Sequence, residues 1–278
     1  VPRCVKEVFM ETIRLINGVE MPLVGLGTWG LRGEECVKSV SSALKMGYPL
    51  IDTAVMYGNE SEVGRGITES GIRREAIFLT TKVYRSSGTY EKAKASIDRS
   101  LKAFGTDYVD LLLLHEPYPK AEEIYRAIEE AYQAGKARAI GISNYDAERC
   151  KDFLDKCMIK PMLDQVEVHA MFQRWDLQDQ LMREDIAMQA WAPLGSGECD
   201  VPVNRSLAAI GAKYGKTAAQ VALRFLVQRG IGVIPKSSHL EGLKENLEIF
   251  DFVLSEEDIS EICHLDTKDT FFPWTKAY

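Results

Sequence analysis

The run Val109-Asp110-Leu111-Leu112-Leu113-Leu114-His115 decides how this chain is read. It is a short apolar stretch of strand length that ends in an imidazole. Two earlier segments have the same form. Leu50-Ile51-Asp52-Thr53-Ala54 ends in a carboxylate, with Tyr57 in the turn after it, and Ile77-Phe78-Leu79-Thr80-Thr81-Lys82 ends in an amine. In a parallel α/β barrel the carboxyl ends of all strands converge on one face, where catalysis takes place. An acid, a phenol, an amine and an imidazole far apart in sequence would then meet in one pocket and form a proton-transfer device.

Outward from these three segments the same alternation covers almost the whole chain. Strands are expected at Leu23–Leu26, Leu50–Asp52, Ile77–Lys82, Val109–His115, Ala137–Ile142, Leu163–Val168, Ala187–Trp191 and Gly232–Pro235. Amphipathic helical patterns separate them, such as Glu34–Met46, Glu91–Phe104, Ala121–Ala134, Ala147–Cys157, Leu177–Arg183, Ala218–Gln228 and Leu240–Ile249. Strand-then-helix alternation argues for a parallel sheet with crossover helices, and eight units argue for closure into a (β/α)8 TIM barrel. Thr12–Leu15 and Glu20–Pro22, separated by Asn17-Gly18, read as an N-terminal β-hairpin that could plug the barrel's bottom. Ser255 before Glu256 and Glu257 reads as the N-cap of an extra C-terminal helix.

At 278 residues the chain suits one large domain or two small ones, and with no linker or repeat a single domain over residues 1–278 is the economical reading. The chain is 46% hydrophobic, with 34 basic against 41 acidic residues and a net charge of −7. That balance argues against a sequence-independent grip on nucleic acid or an anionic membrane. The six cysteines contain no C-x-x-C pair, which reads as reduced thiols and neither a disulfide frame nor a metal site. No apolar run approaches the ~20 residues of a membrane span. Residues 1–9 lack the apolar stretch of a signal peptide and read as a leader or vector remnant. A cytoplasmic monomer acting on a small molecule is the expectation.

The chemistry of the four residues is coherent. Tyrosine is a poor acid at neutral pH, and a nearby Lys82 ammonium would favour its phenolate and lower its pKa. Asp52 would hold Lys82 charged and oriented. A neutral His115 would donate to a carbonyl oxygen. Such a group suits protonation of an oxygen whose carbon accepts hydride. Singly, an Asp at a strand end is commonly a cap or ion-pair member, and a His on an apolar strand a satisfied core residue. An idle ammonium at a strand end is costly and harder to dismiss.

Longer motifs surround these residues. Gly47-Tyr48-Pro49-Leu50-Ile51-Asp52-Thr53-Ala54, with Tyr57 and Asn59-Glu60, resembles the first signature of the aldo-keto reductase family. Ser100-Leu101-Lys102 followed by Gly105-Thr106-Asp107-Tyr108-Val109-Asp110-Leu111, with His115 and Pro117, resembles the second. Gly135-Lys136-Ala137-Arg138, Gly141-Ile142-Ser143-Asn144, and Ile234-Pro235-Lys236-Ser237 with Glu245-Asn246 resemble later stretches of that family, in order.

The resemblance implies a barrel that binds a nicotinamide cofactor without a G-x-G-x-x-G loop, and none follows a strand here. It implies reduction of aldehydes and ketones, with Tyr57 as general acid, Lys82 and Asp52 tuning it, and His115 orienting the carbonyl. Ser143, Asn144 and Gln165 would hold the nicotinamide carboxamide, and Trp191 would stack on the ring. Further cofactor contacts would come from Gly27, Thr28, Leu194, Gly195, Lys236, Ser237, Ser238, Glu245 and Asn246. Trp29, Glu116 and Trp274 would shape the substrate pocket, the last from an aromatic tail of Phe271, Phe272, Pro273, Trp274 and Tyr278.

Three positions depart from the family pattern. Gly242 stands where relatives preferring the phosphorylated cofactor usually carry Arg, so NADPH is expected with NADH as a second possibility. Glu116 stands where many relatives place Trp. Turned inward it would disfavour anionic substrates; turned outward it is a loop residue. Pro49 replaces a common Arg, remote from chemistry. Two other readings remain open from sequence. One is a regulatory barrel of the channel-associated type that binds cofactor with little turnover. The other is an unrelated barrel hydrolase or aldolase using Lys82.

Overall fold

The computed structural model describes residues 11–277. The proposed leader at residues 1–9 and the terminal Tyr278 lie outside the described residues. The apolar runs form eight parallel strands in sequence order: β3 (Leu26–Gly27), β4 (Leu50–Asp52), β5 (Phe78–Val83), β6 (Val109–Leu114), β7 (Ala137–Ser143), β8 (Leu163–Glu167), β9 (Ala187–Trp191) and β10 (Gly232–Val233). Residues before β3 meet β10 through a parallel bridge between Val24 and Val233, with Val233 N–H on Leu23 O at 2.7 Å and Gly25 N–H on Val233 O at 2.9 Å. That contact closes the sheet into a (β/α)8 barrel. Short end strands replace the longer Leu23–Leu26 and Gly232–Pro235 expected from sequence, because the closing ladder is a bridge and not a full pairing.

Ahead of the barrel, β1 (Thr12–Arg14) and β2 (Glu20–Pro22) form the expected antiparallel hairpin. It drives Met21, fully buried, toward the barrel interior, where the Gln189 side chain donates to its sulfur at 3.9 Å. Helices α1 (Gly33–Lys45), α2 (Glu60–Ser70), α3 (Tyr90–Phe104), α4 (Ala121–Gln133), α5 (Ala147–Leu154), α6 (Trp175–Arg183), α7 (Arg205–Tyr214), α8 (Ala218–Gln228) and α9 (Leu240–Leu247) cover the strands. The extra C-terminal helix α10 (Glu256–Cys263) starts at Ser255, whose hydroxyl accepts from Asp258 N–H while the Asp258 carboxylate returns a bond to Ser255 N–H.

Two helices, α2 and α7, have no counterpart among the patterns read from sequence. Glycines blunt their helical signal, and packing demands those glycines. A Cβ on Gly64 would meet Ala103 O at 2.5 Å, one on Gly66 would meet the Val40 Cβ at 2.7 Å, and one on Gly211 would meet Lys216 O at 2.3 Å. Among the described residues no helix is long and apolar enough to cross a membrane.

Candidate active site

The carboxyl ends of the strands surround a cleft of about 1060 Å³. Asp52 ends β4, Lys82 lies one residue from the end of β5, and His115 follows β6 directly. Tyr57 is set by a short turn after β4, at residues 55–57, with its N–H on Ala54 O at 2.9 Å. Asn59 staples that turn: it accepts the Thr53 hydroxyl at 2.7 Å and donates to Thr28 O at 3.0 Å and Leu31 O at 3.1 Å. The loop carrying Trp29 is thereby tied to the loop carrying Tyr57. The Trp29 ring stands edge-on to Tyr57 at 5.0 Å, yet is 55% exposed at the rim.

Lys82 is completely buried and spends all three of its N–H donors inside the protein. They reach Asp52 Oδ1 at 2.5 Å, Thr53 O at 2.9 Å and the Tyr57 hydroxyl oxygen at 3.3 Å. The other Asp52 oxygen accepts from Gln165 Nε2 at 2.8 Å, and the same amide nitrogen donates to Gln189 Oε1 at 2.7 Å. Lys82 does not line the cleft; it sits beneath Tyr57. An amine so enclosed is poorly placed to meet a carbonyl as an aldolase-type nucleophile.

Burial opposes the charge on Lys82, but the facing Asp52 carboxylate and Tyr57 oxygen outweigh it and hold the ammonium above its ordinary range. Burial pushes Asp52 up, against the Lys82 charge and the hydrogen bonds from Lys82 and Gln165. For Tyr57 the outcome differs from the sequence expectation. Burial raises the phenol, Lys82 pulls it down, and the charges of Asp52 and Glu116 add to the rise, so the net shift is upward. The ammonium moderates the shift without reversing it, and the hydroxyl keeps its proton at neutral pH. Because its oxygen accepts from Lys82, that proton points elsewhere, and among the described residues no acceptor takes it. His115 is held neutral, its pKa driven well below 6.5 by burial and then by the Lys82 charge. Its ring stands 5.8 Å from Tyr57, and its buried Nδ1 has no hydrogen-bond partner.

Along the next wall, Asn144 adopts a left-handed backbone (φ 67°) at the end of β7. Its amide nitrogen donates to His115 O and to Ser143 Oγ, both at 3.1 Å, while its amide oxygen accepts the Trp191 indole N–H at 2.8 Å. Ser143 Oγ in turn donates to Gln165 O at 2.7 Å. Trp191 stacks on Trp274 at 5.6 Å and 19°, with Phe272 edge-on at 4.9 Å.

The cleft brings together Gly27, Thr28, Trp29, Asp52, Tyr57, His115, Glu116, Ser143, Asn144, Gln165, Trp191, Leu194, Lys236 and Trp274 of the residues named from sequence. Gly195, Ser237, Ser238, Glu245 and Asn246 lie off its lining. Gly195 is buried, and a Cβ there would meet Cys199 Sγ at 2.3 Å. The Ser237 hydroxyl bonds His239, Glu245 accepts from Thr217, and Asn246 is buried on α9. Glu116 lies in the loop after β6, but it is 5% exposed and on the lining, so it is not the exposed loop residue of the alternative reading.

Sequence reading missed Met56, Tyr84, Arg85 and Ser196 as lining residues and Gln189 as a partner of Gln165, and it named Phe272 only as part of the aromatic tail. Tyr84 and Arg85 follow Lys82 past the end of β5, so the strand-end rule applied two residues further would have found them. Gln189 is the one polar residue inside its own strand, Ala187-Met188-Gln189-Ala190-Trp191, a signal of the same kind.

The model of the Aldo/keto reductase family matches residues 23–267. The chain belongs to this family. It is 41% identical over 271 residues to the 9,11-endoperoxide prostaglandin H2 reductase of Trypanosoma cruzi, covering 94% of this chain and 96% of the relative. It is 42% identical over 265 residues to the glyoxal reductase of Bacillus subtilis, covering 95% of each. Among solved structures of the family, an aldo-keto reductase from a Medee basin deep-sea metagenome library superposes with a TM-score of 0.91 at 41% identity, covering 94% of this chain and 97% of the other. A Bombyx mori aldo-keto reductase in complex with NADP superposes with a TM-score of 0.89 at 30% identity, covering 97% of each chain. The aldo-keto reductase fold and the strand-end cleft thus occur together over nearly the full length of this chain.

Proposed function

We propose that this protein reduces aldehydes and ketones to alcohols with a reduced nicotinamide dinucleotide, NADPH before NADH. The observation that carries the reading is the chain Asp52–Lys82–Tyr57, buried under a cleft and ending in a protonated hydroxyl beside a neutral imidazole. The lining fits such a cofactor by its chemistry. The amide oxygens of Asn144 and Gln165 can accept from a carboxamide N–H, their own N–H donors being already engaged. Trp191 offers a flat apolar face and Lys236 a cation suited to phosphate. At Gly27 a Cβ would meet Ile234 O at 2.5 Å, so only glycine lets this wall stand so close to the segment after β10.

When bound, the cofactor supplies the hydride that the carbonyl carbon accepts. The Tyr57 hydroxyl donates its proton to the oxygen that gains charge. Lys82, held by Asp52 and Thr53 O, stabilises the phenolate left behind. His115 orients the carbonyl oxygen toward Tyr57 by donating a hydrogen bond from its neutral ring. Trp29, Tyr84 and Phe272 supply apolar walls that position the substrate and exclude water. Glu116 places a carboxylate among them, which favours neutral or hydroxylated carbonyl compounds over anionic ones. The names of the glyoxal and prostaglandin H2 reductases agree with carbonyl and related oxygen chemistry in a roomy pocket. We also read the protein as a single-domain cytoplasmic monomer, in keeping with free cysteines at all five described positions.

A fluorescence titration with NADPH and NADH, followed by a panel of neutral and anionic carbonyls, tests this reading. Cofactor binding with turnover of neutral aldehydes is expected. Binding without turnover of any carbonyl would favour the regulatory barrel instead.

A further inference from the structure

Glu167 closes β8 two residues after Gln165, so both side chains leave the same face of the strand. Gln165 reaches Asp52. Glu167 reaches the C-terminal segment instead. Its carboxylate is 1% exposed and plays no part in the carbonyl chemistry, yet it is fully engaged. It accepts the Thr270 hydroxyl on one oxygen and the Phe271 N–H at 3.0 Å on the other. That second oxygen also faces His169 Nε2 at 3.2 Å.

The tautomer of His169 follows from its surroundings. Met171 N–H donates to His169 Nδ1 at 3.3 Å, so Nδ1 is the bare nitrogen and Nε2–H is the group that donates to Glu167. The ring also stands edge-on to Phe271 at 5.4 Å. Thr267 adds bonds from its N–H and hydroxyl to Met171 O, at 2.9 and 2.8 Å, and Asp266 accepts Gln173 N–H at 3.2 Å. The segment is therefore fixed to the end of β8 and the loop after it. Immediately beyond Phe271 come Phe272 and Trp274, the two residues that pack on Trp191 and line the cleft.

We propose that Glu167 is a positioning residue for substrate selection. By pinning Thr270 and Phe271 it sets where Phe272 and Trp274 stand against Trp191, and so fixes the aromatic wall of the cleft. One strand end then serves two ends of the site, with Gln165 on the acid–base chain and Glu167 on the aromatic wall. The carboxylate suits the task because a single group can accept from a hydroxyl, a backbone amide and an imidazole at once. This inference rests on the reading of the cleft as a carbonyl-reductase site.

The test uses the full chain with Glu167→Gln as the deciding variant, beside Thr270→Val, which leaves β8 untouched but also removes the acceptor of Phe272 N–H at 2.9 Å. Near-ultraviolet circular dichroism reads the stacked Trp191–Trp274 pair directly, and Trp274→Phe defines the signal that belongs to it. Both variants should lose most of that signal. Their KM for 4-nitrobenzaldehyde should rise about tenfold, the scale of one lost hydrogen bond to a charged group. Their kcat and KM for propanal should stay within about twofold. A pair signal intact in Glu167→Gln overturns the proposal, as does an equal shift for the two aldehydes. If the parent protein reduces neither aldehyde, the reductase reading fails, and the dichroism alone still decides whether Glu167 places the wall.

Discussion

Lys82 Nζ lies 2.5 Å from Asp52 Oδ1 and 3.3 Å from the Tyr57 hydroxyl, and the closer partner is the one that carries charge at rest. The ammonium is thus held by Asp52 and offered to Tyr57, whose oxygen needs it only after releasing a proton. Replacing Lys82 by Met should lower carbonyl turnover by at least about a hundredfold. It should also destabilise the fold by about 3–5 kcal/mol, because Asp52 is left buried without its counter-charge. Adding Asp52→Asn to Lys82→Met should recover most of the stability and none of the activity. Denaturant unfolding beside steady-state kinetics separates the two effects.

His115 gives the fold a pH dependence of defined sign. Its folded pKa lies well below the ordinary 6.5, so the unfolded chain takes up a proton there that the folded chain refuses. The neutral ring contributes no loss above the unfolded value. Stability should fall as pH drops below about 6.5 toward the folded value. Thermal unfolding of His115→Gln should show a shallower decline over that acidic window, and an identical decline would contradict the assignment.

Glu116 and Asp52 are the two carboxylates on the lining of the cleft, and Asp52 is held by Lys82. Substitution of Glu116 by Gln keeps its shape and removes its charge. The kcat/KM for 4-carboxybenzaldehyde should rise about tenfold, while that for 4-nitrobenzaldehyde changes little. Equal changes for both aldehydes would show that the charge does not face the substrate.

Gly242 is the third residue of α9, and a Cβ there would meet Ser237 Oγ at 2.6 Å. That hydroxyl is engaged with His239 N–H and O, both at 3.1 Å. Gly242→Arg should force the serine to rotate away and add a cation to the segment that follows Lys236. NADPH affinity should strengthen by about tenfold relative to NADH, the scale of one charge-assisted contact. Paired fluorescence titrations read the ratio.

Much of the site was legible because a barrel converts strand ends into neighbours. Asp52, Lys82 and His115 could be placed from three apolar runs without knowing any contact between them. The direction of the Tyr57 shift was not legible, because burial competes with the Lys82 charge and burial depends on everything packed around the ring. Helices α2 and α7 were hidden by Gly64, Gly66 and Gly211, whose purpose appears only when the neighbouring backbone is in place. Glu167 was hidden for a related reason. In the segment Leu163-Asp164-Gln165-Val166-Glu167 it is one polar residue among three, and only the returning tail shows which of them it serves.

The central claim is that Tyr57 is the proton donor, and the most direct measurement is made on Tyr57→Phe. This change removes one oxygen and leaves the ring against Trp29 and His115. NADPH should bind with unchanged affinity by fluorescence titration, and reduction of 4-nitrobenzaldehyde should fall by at least about a hundredfold. Near-parental turnover in that variant, with cofactor bound, would contradict the account.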